Sequence, residues 1–401
     1  MIRAKGADML TDGHISAAAR RLAQATAPSP LRRAAELRRA GVKVWDLGRG
    51  EPEFPTPPHV VEAAAAAMRA GETHYGDVAG LFELREAVAA KLQRDNHLTA
   101  DPRGEILVTN GTIEGLFLAM TALLNPGDEV LVLAPAYPHY EGFVTFPGGK
   151  PVLIPCLGAD GQLQPTRESL EELISPRCRM LLLNSPHNPT GSVLPRGSLE
   201  MLAQVTERHG LIIVTDEVYE AITFPPSAHV SIAALSPETR QRTVLVNSLS
   251  KTYAMTGWRL GYAVAPRPIL RAMRDIHEKS CRMASSFVQR AGIAALLGPQ
   301  DCVEQMAKIY ARRRDWIVKQ LNGLPGIVCP PPRGTFYVFP KIAGLGITSD
   351  EFARELLEDK HVLVFPGSYY GAAGEAHIRV SFAADDASLE AGLAAIREQV
   401  L

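Results

Sequence analysis

From position 105 onward, short apolar runs alternate with stretches in which apolar residues recur every three or four positions. The runs at 106–109, 130–133, 152–154, 180–183, 211–215, 244–247 and 261–264 are brief and nearly continuous, which predicts buried strands. Helical spacing lies between several of them, as at 113–124 and 198–209. This alternation predicts an α/β fold: a large domain with a mainly parallel central sheet covered by helices. Upstream, 31–40, 60–70 and 81–92 predict helices, the last with Leu84, Val88 and Leu92 on one stripe, and 42–47 a short strand. Two glycines and four prolines make 48–58 a rigid loop. Beyond 268 the pattern is mostly helical, with strand-like segments at 334–339, 362–365 and 377–382 that suit a smaller α/β domain. The basic run Arg312-Arg313-Arg314 reads as a solvated helix face. Residues 1–50 are therefore expected to form an arm and part of the small domain, 51–290 the large domain and 291–401 the rest of the small one. Residues up to about Pro30 read as an arm or a short helix followed by the break Pro28-Ser29-Pro30.

Composition narrows the class. A chain of 401 residues, 46% hydrophobic, can bury a large core. Lys plus Arg is 42 against 43 for Asp plus Glu, a net charge of -1, so there is no basic field for nucleic acid or an anionic membrane. Five separated cysteines without Cys-x-x-Cys pairing read as reduced thiols. With no secretory h-region at the N-terminus and no apolar run long enough for a bilayer, the expected location is cytoplasmic.

Chemistry gathers where the strands end, which is where ligands bind in sheets of this kind. Asn110-Gly111-Thr112-Ile113 follows the first run and opens a helix whose backbone N–H groups suit a phosphate. Tyr137 follows the second run, Asn188 the fourth, and Asp216 with Tyr219 the fifth. Ser248-Leu249-Ser250-Lys251, with Arg259 beyond it, follows the sixth. A lysine amine forms Schiff bases with carbonyls, and two serines plus an arginine can hold a dianionic phosphate beside it, which together suggest pyridoxal phosphate. Asp216 would pair with the pyridine nitrogen, Asn188 and Tyr219 would bond the ring's phenolic oxygen, and Tyr137 would stack on the ring. Each signal has a plainer reading: a solvated lysine at a strand end, an aspartate capping a helix, an interhelical packing role for Tyr75. Ser248 to Lys251 also fits the Ser-x-x-Lys pattern of penicillin-recognising enzymes, but their Ser-Asp-Asn and Lys-Thr-Gly partners are missing from the chain.

Taken together, Gly50-Glu-Pro-x-Phe54, Asn188-Pro-Thr-Gly191, Asp216-x-x-Tyr219, Ser248-x-Ser-Lys251 with Arg259, and Arg379 stand in an order that resembles the class I/II aminotransferases, fold type I pyridoxal-phosphate enzymes. The resemblance runs from about Ser29 to the C-terminus. It implies that Lys251 holds the cofactor as a Schiff base and shuttles a proton, and that Arg379 clamps the substrate α-carboxylate. It also implies that Asn188 and Gly50 contact substrate and that Gly111, Thr112, Ile113, Ser248, Ser250 and Arg259 hold the phosphate. Tyr75 resembles a tyrosine that reaches the neighbouring subunit's phosphate, which implies a homodimer with shared active sites. Aspartate-using relatives often carry a lysine where this chain has Ile113, which argues against aspartate as substrate.

The implied reaction is ping-pong transfer of an amino group from an L-amino acid to a 2-oxo acid. The alternative on the same framework is β- or γ-elimination, replacement or cyclisation, since both need the lysine and the electron sink. Transcription regulators with an aminotransferase-like domain carry a DNA-binding module ahead of it, for which about 50 residues leave no room.

Overall fold

The computed structural model describes residues 14–24 and 29–401. Residues 1–13 and 25–28 of the expected arm, with Pro28 of its break, lie outside the described residues. The described part of the arm contains the helix Ala17–Gln24. The helix Pro30–Arg39 follows, its first turn capped by the Ser29 hydroxyl, and leads into a two-residue strand β1 (Trp45–Asp46).

The central sheet has seven strands: β2 (Ile106–Thr109), β3 (Glu129–Ala134), β4 (Lys150–Pro155), β5 (Cys178–Asn184), β6 (Ile212–Asp216), β7 (Thr243–Ser248) and β8 (Gly261–Val264). Their order is β2-β8-β7-β6-β5-β3-β4. Strands β3 to β7 run parallel, while β8 is antiparallel to both of its neighbours. The reversal has a local cause. A parallel return needs a long crossover, usually a helix, whereas the link from β7 to β8 is a turn through Lys251 and one 3-10 turn, Thr256–Trp258. Ser248 therefore lies directly across from Gly261, and the lysine segment is held as a loop at the carboxyl end of the sheet. Strand β4, expected to be buried, is mostly half-exposed because it is the sheet's edge.

The C-terminal part builds around β9 (Tyr337–Val338), β10 (Val362–Leu363), β11 (Phe365–Pro366) and β12 (Ile378–Ser381). The single strand expected at 362–365 is two: β10 pairs with β1, and after Val364 the chain turns so that β11 joins the antiparallel sheet β11-β12-β9. Its core contains Leu47, Tyr310, Phe336, Phe352, Phe382 and Ile396, together with Val218, Tyr219, Ile222 and Phe224 from the turn after β6. That turn thus belongs to the large sheet by sequence and to the second core by packing. It replaces the helix that would have made Asp216 an N-cap.

The basic run is corrected as well. Arg313 is buried, ion-paired to Glu53 and to Asp386 (2.9 Å), and Arg314 lies 4.6 Å over the Phe224 ring. Only Arg312 behaves as the solvated face expected of all three. A buried guanidinium is tolerated here because carboxylates on two other segments face it.

Candidate active site

The carboxyl ends of β5, β6 and β7, the start of the helix Thr112–Leu123 and strands β9, β11 and β12 enclose one cavity of about 480 Å³. Gly50, Thr112, Ile113, Tyr137, Asn188, Asp216, Tyr219, Ser248, Ser250, Lys251, Arg259 and Arg379 all line it. Residues more than three hundred positions apart in the chain meet there.

At the phosphate end, Gly111 precedes the helix with φ +84°, and a Cβ at this position would lie 2.4 Å from Arg259 Nη2. Only glycine brings the backbone so close to that guanidinium. Arg259 Nη2 in turn donates to the Asn110 carbonyl at 3.2 Å. Glu114 fixes the loop from inside the helix. Its Oε2 accepts from Asn110 N (2.6 Å) and Nδ2 (3.0 Å), and its Oε1 meets His277 Nδ1 at 2.9 Å. The Thr112 hydroxyl is buried without a partner. Free helix N–H groups, a guanidinium, two serine hydroxyls and an unpaired threonine hydroxyl fit the phosphate of the cofactor expected from the sequence.

At the centre, Lys251 Nζ donates to the Gly50 carbonyl at 2.5 Å. Burial pulls its amine down to about 8, against the opposing influence of Glu51. Asp216 is buried, which lifts its carboxyl to about 6 even though the Tyr140 hydroxyl donates to Oδ2 at 2.9 Å and Val218 N to Oδ1 at 3.3 Å. The Tyr140 bond, made to an ionised group, is worth about 1.5–3 kcal/mol. Behind this centre, Lys91 forms an ion pair with Glu220, which accepts from Asn247 Nδ2 at 2.7 Å. Asn247 Oδ1 then takes the Ser248 N–H at 2.7 Å and fixes the end of β7. Glu220, Glu217 and His229 have the mutual spacing of metal ligands, but the Lys91 ammonium already supplies Glu220 with a counter-charge.

At the other end, Arg379 is buried with Nη1 on Asn188 Oδ1 (3.0 Å) and Nη2 on the Gly48 carbonyl (2.5 Å), while Nε has no partner. Its guanidinium carbon lies 4.2 Å from the Tyr337 ring centre, 4.8 Å from Phe365 and 5.3 Å from Tyr370. A buried cation with an unused donor fits a planar carboxylate.

Tyr75 stands apart. It is 81% exposed, lies outside the cavity and carries the Arg282 guanidinium 4.8 Å over its ring, so it does not pack between helices. Residues given no role in the sequence include Tyr140, Tyr337, Glu51 and Phe365. Tyr140 stands one helical turn beyond Tyr137 and could have been suspected; Tyr337 is marked only by alternation along a short strand.

A family model described as aminotransferase class I and II matches residues 42–396. An aspartate aminotransferase of Geobacillus stearothermophilus is 40% identical over 93% of this chain and 96% of its own length. Aromatic-amino-acid aminotransferase 2 of Thermococcus litoralis is 38% identical over 90% of this chain and 93% of its own. The crystal structure of the aspartate aminotransferase from Rhizobium meliloti superposes with a TM-score of 0.90 at 39% identity, covering 95% of this chain and 98% of that one.

Proposed function

This chain belongs to the class I and II aminotransferases, and we propose that the residues converging on Lys251 perform its reaction. It is a pyridoxal-phosphate-dependent aminotransferase that moves an amino group from an amino acid to a 2-oxo acid, not one of the eliminating or cyclising enzymes of the same framework. The observation that carries the residue assignment is the half-buried Lys251 amine, in one cavity with Asp216 and with Arg379, whose Nε is unpaired.

When bound, pyridoxal phosphate supplies an electron sink for the electron pair left at the substrate α-carbon. The chain does the rest. With its amine near 8, Lys251 is neutral in roughly one molecule in ten at pH 7, against roughly one in three thousand for an ordinary lysine. It can therefore attack a carbonyl and then hold the proton taken from the α-carbon. Asp216, oriented by Tyr140, would hold a proton on the pyridine nitrogen. Arg379 binds the α-carboxylate, which fixes the direction of the Cα–H bond before it breaks. Tyr137 lines the cavity and would cover the ring face, keeping water away from it.

Where the substrate side chain would lie, the cavity wall is Leu31, Ile113, His139 and Tyr369, with Arg49 at the edge. Ile113 is 39% exposed there. Arg49 is already matched by Glu51 (2.8 Å) and Asp46 (3.5 Å). An apolar or aromatic side chain suits this wall better than a carboxylate. The preferred donor is therefore an apolar or aromatic L-amino acid, even though several relatives are named for aspartate. The division at 1–50, 51–290 and 291–401, the cytoplasmic location and a homodimer with shared active sites belong to this proposal. The exposed Tyr75 supports the dimer, being free to meet a second copy.

The test is to load purified protein with pyridoxal phosphate and add phenylalanine or aspartate without an acceptor. The visible band should convert once and stop, with kcat/KM higher for phenylalanine. Ile113→Lys should move the ratio toward aspartate by about tenfold, one charge-assisted contact. A wild-type preference for aspartate would sink the substrate reading alone; no band in wild type, or one unaffected by Lys251→Ala, would sink the residue assignment.

A further inference from the structure

Tyr337 lies at the junction of three parts of the site. Its hydroxyl oxygen is 2.9 Å from that of Tyr219. Its ring carries the Arg379 guanidinium at 4.2 Å. Its hydroxyl also occupies the space beside Gly50, where a Cβ would come within 2.7 Å. Tyr337 is 1% exposed, on β9 directly across from Ser381 of β12, the strand that holds Arg379. The titratable groups around it are Arg379 from β12, Tyr219 from the turn after β6, Glu51 from the loop after Gly50, Tyr137 beyond β3, Tyr310 from the helix Asp301–Asn322 and Tyr370 beyond β11.

We propose that Tyr337 is a positioning residue that aims the Tyr219 hydroxyl at the cofactor's phenolic oxygen and seats the Arg379 guanidinium on its ring, tying cofactor tuning to carboxylate binding. This rests on the residue assignment above.

The argument is one of proton counting. Two hydroxyls in contact share one hydrogen bond, so only one of them donates to the other. If Tyr219 spends its proton on the cofactor oxygen, Tyr337 must be the donor of the pair. A hydroxyl that accepts one hydrogen bond donates a stronger one, most of all where water is excluded. Tyr337 therefore strengthens the Tyr219 donor and favours the ionised phenolic oxygen. The same ring supplies a cation–π face on which the Arg379 guanidinium sits. Gly50 is then required on steric grounds: any side chain there would displace the Tyr337 hydroxyl and disturb the carbonyl that receives Lys251.

Tyr337→Phe keeps the ring and removes the donor. The pH midpoint of the bound cofactor's visible band should rise by about half a unit, the scale of one weakened hydrogen bond. Affinity for a non-reacting carboxylate such as propionate should change less than about twofold. Tyr337→Leu removes the ring too and should weaken propionate binding by about fivefold, the scale of a desolvated cation–π contact. In a Tyr219→Phe background the Tyr337→Phe shift should vanish, which a purely structural role would not produce. An unmoved midpoint in Tyr337→Phe, or the same shift in both backgrounds, overturns the proposal. If Tyr337→Leu does not fold, the Tyr219 cycle decides alone. Wild-type protein that shows no band with pyridoxal phosphate removes the underlying assignment instead, before any substitution is made.

Discussion

The two ends of the cavity are built differently. The phosphate end comes from strand ends and one helix start of the central sheet, and its parts hold one another: Arg259 on Asn110, Asn110 on Glu114, Glu114 on His277. The carboxylate end is assembled from Gly48, Asn188, Tyr337 and Arg379, drawn from a loop, a turn and two strands of a different sheet. It keeps one cationic donor unused. One end is braced by contacts among its own neighbours around an unpaired Thr112 hydroxyl, and the other is assembled from distant segments around an unpaired Arg379 Nε. Resident cofactor and transient substrate call for this difference, because a group that must leave each turnover cannot be held by a closed network.

If the comparison is right, substitutions should separate cofactor affinity from substrate affinity. The largest effect belongs to the residue between the two ends: Lys251→Ala should lower the donor half-reaction by about 10⁴-fold, the upper range for a lost acid-base group, while the protein still binds cofactor by absorbance. Next, Arg379→Lys loses the planar fork; kcat/KM should fall about a hundredfold, mostly through KM, with the cofactor dissociation constant unchanged by equilibrium dialysis. A raised cofactor constant in that variant would merge the two ends into one.

A third test uses pH. In cofactor-free protein Asp216 has its carboxyl at about 6 because it is buried. A protonated pyridine prefers the carboxylate, so binding lowers that value and releases a proton. The Asp216 contribution to affinity should therefore be flat above about pH 6 and fall as pH drops below it, by up to about tenfold per unit, on top of the separate titration of Lys251 near 8. Asp216→Asn should remove this part of the slope and leave only the cofactor's own ionisations. The smallest expected effect is Glu114→Gln, which keeps the shape but weakens the pull on Asn110. The cofactor dissociation constant should rise about three- to fivefold with KM for the donor unmoved.

The same division governed what could be read from the chain. Strands β2, β5, β6 and β7 are uninterrupted apolar runs, and Asn188, Asp216 and Lys251 lie at or just beyond strand ends, so local pattern was enough to find them. Tyr140 and Tyr337 matter through hydroxyls that meet Asp216 and Tyr219 far along the chain, and no local pattern encodes such a meeting. Arg313 looked solvated because the carboxylates that bury it, Glu53 and Asp386, lie on segments with no periodic tie to its helix. The apolar run 362–365 gave no sign that Val364 separates two strands, since hydrophobicity does not record which neighbour a strand will choose.

The unused donor of Arg379 also bears on how this enzyme is handled. A dry, permanently charged guanidinium between aromatic rings does not distinguish a substrate from any other small carboxylate that fits. On the proposed assignment, acetate or succinate in a storage solution should compete for it and be recorded as a weak substrate affinity, so the choice of buffer salt would enter every measured constant.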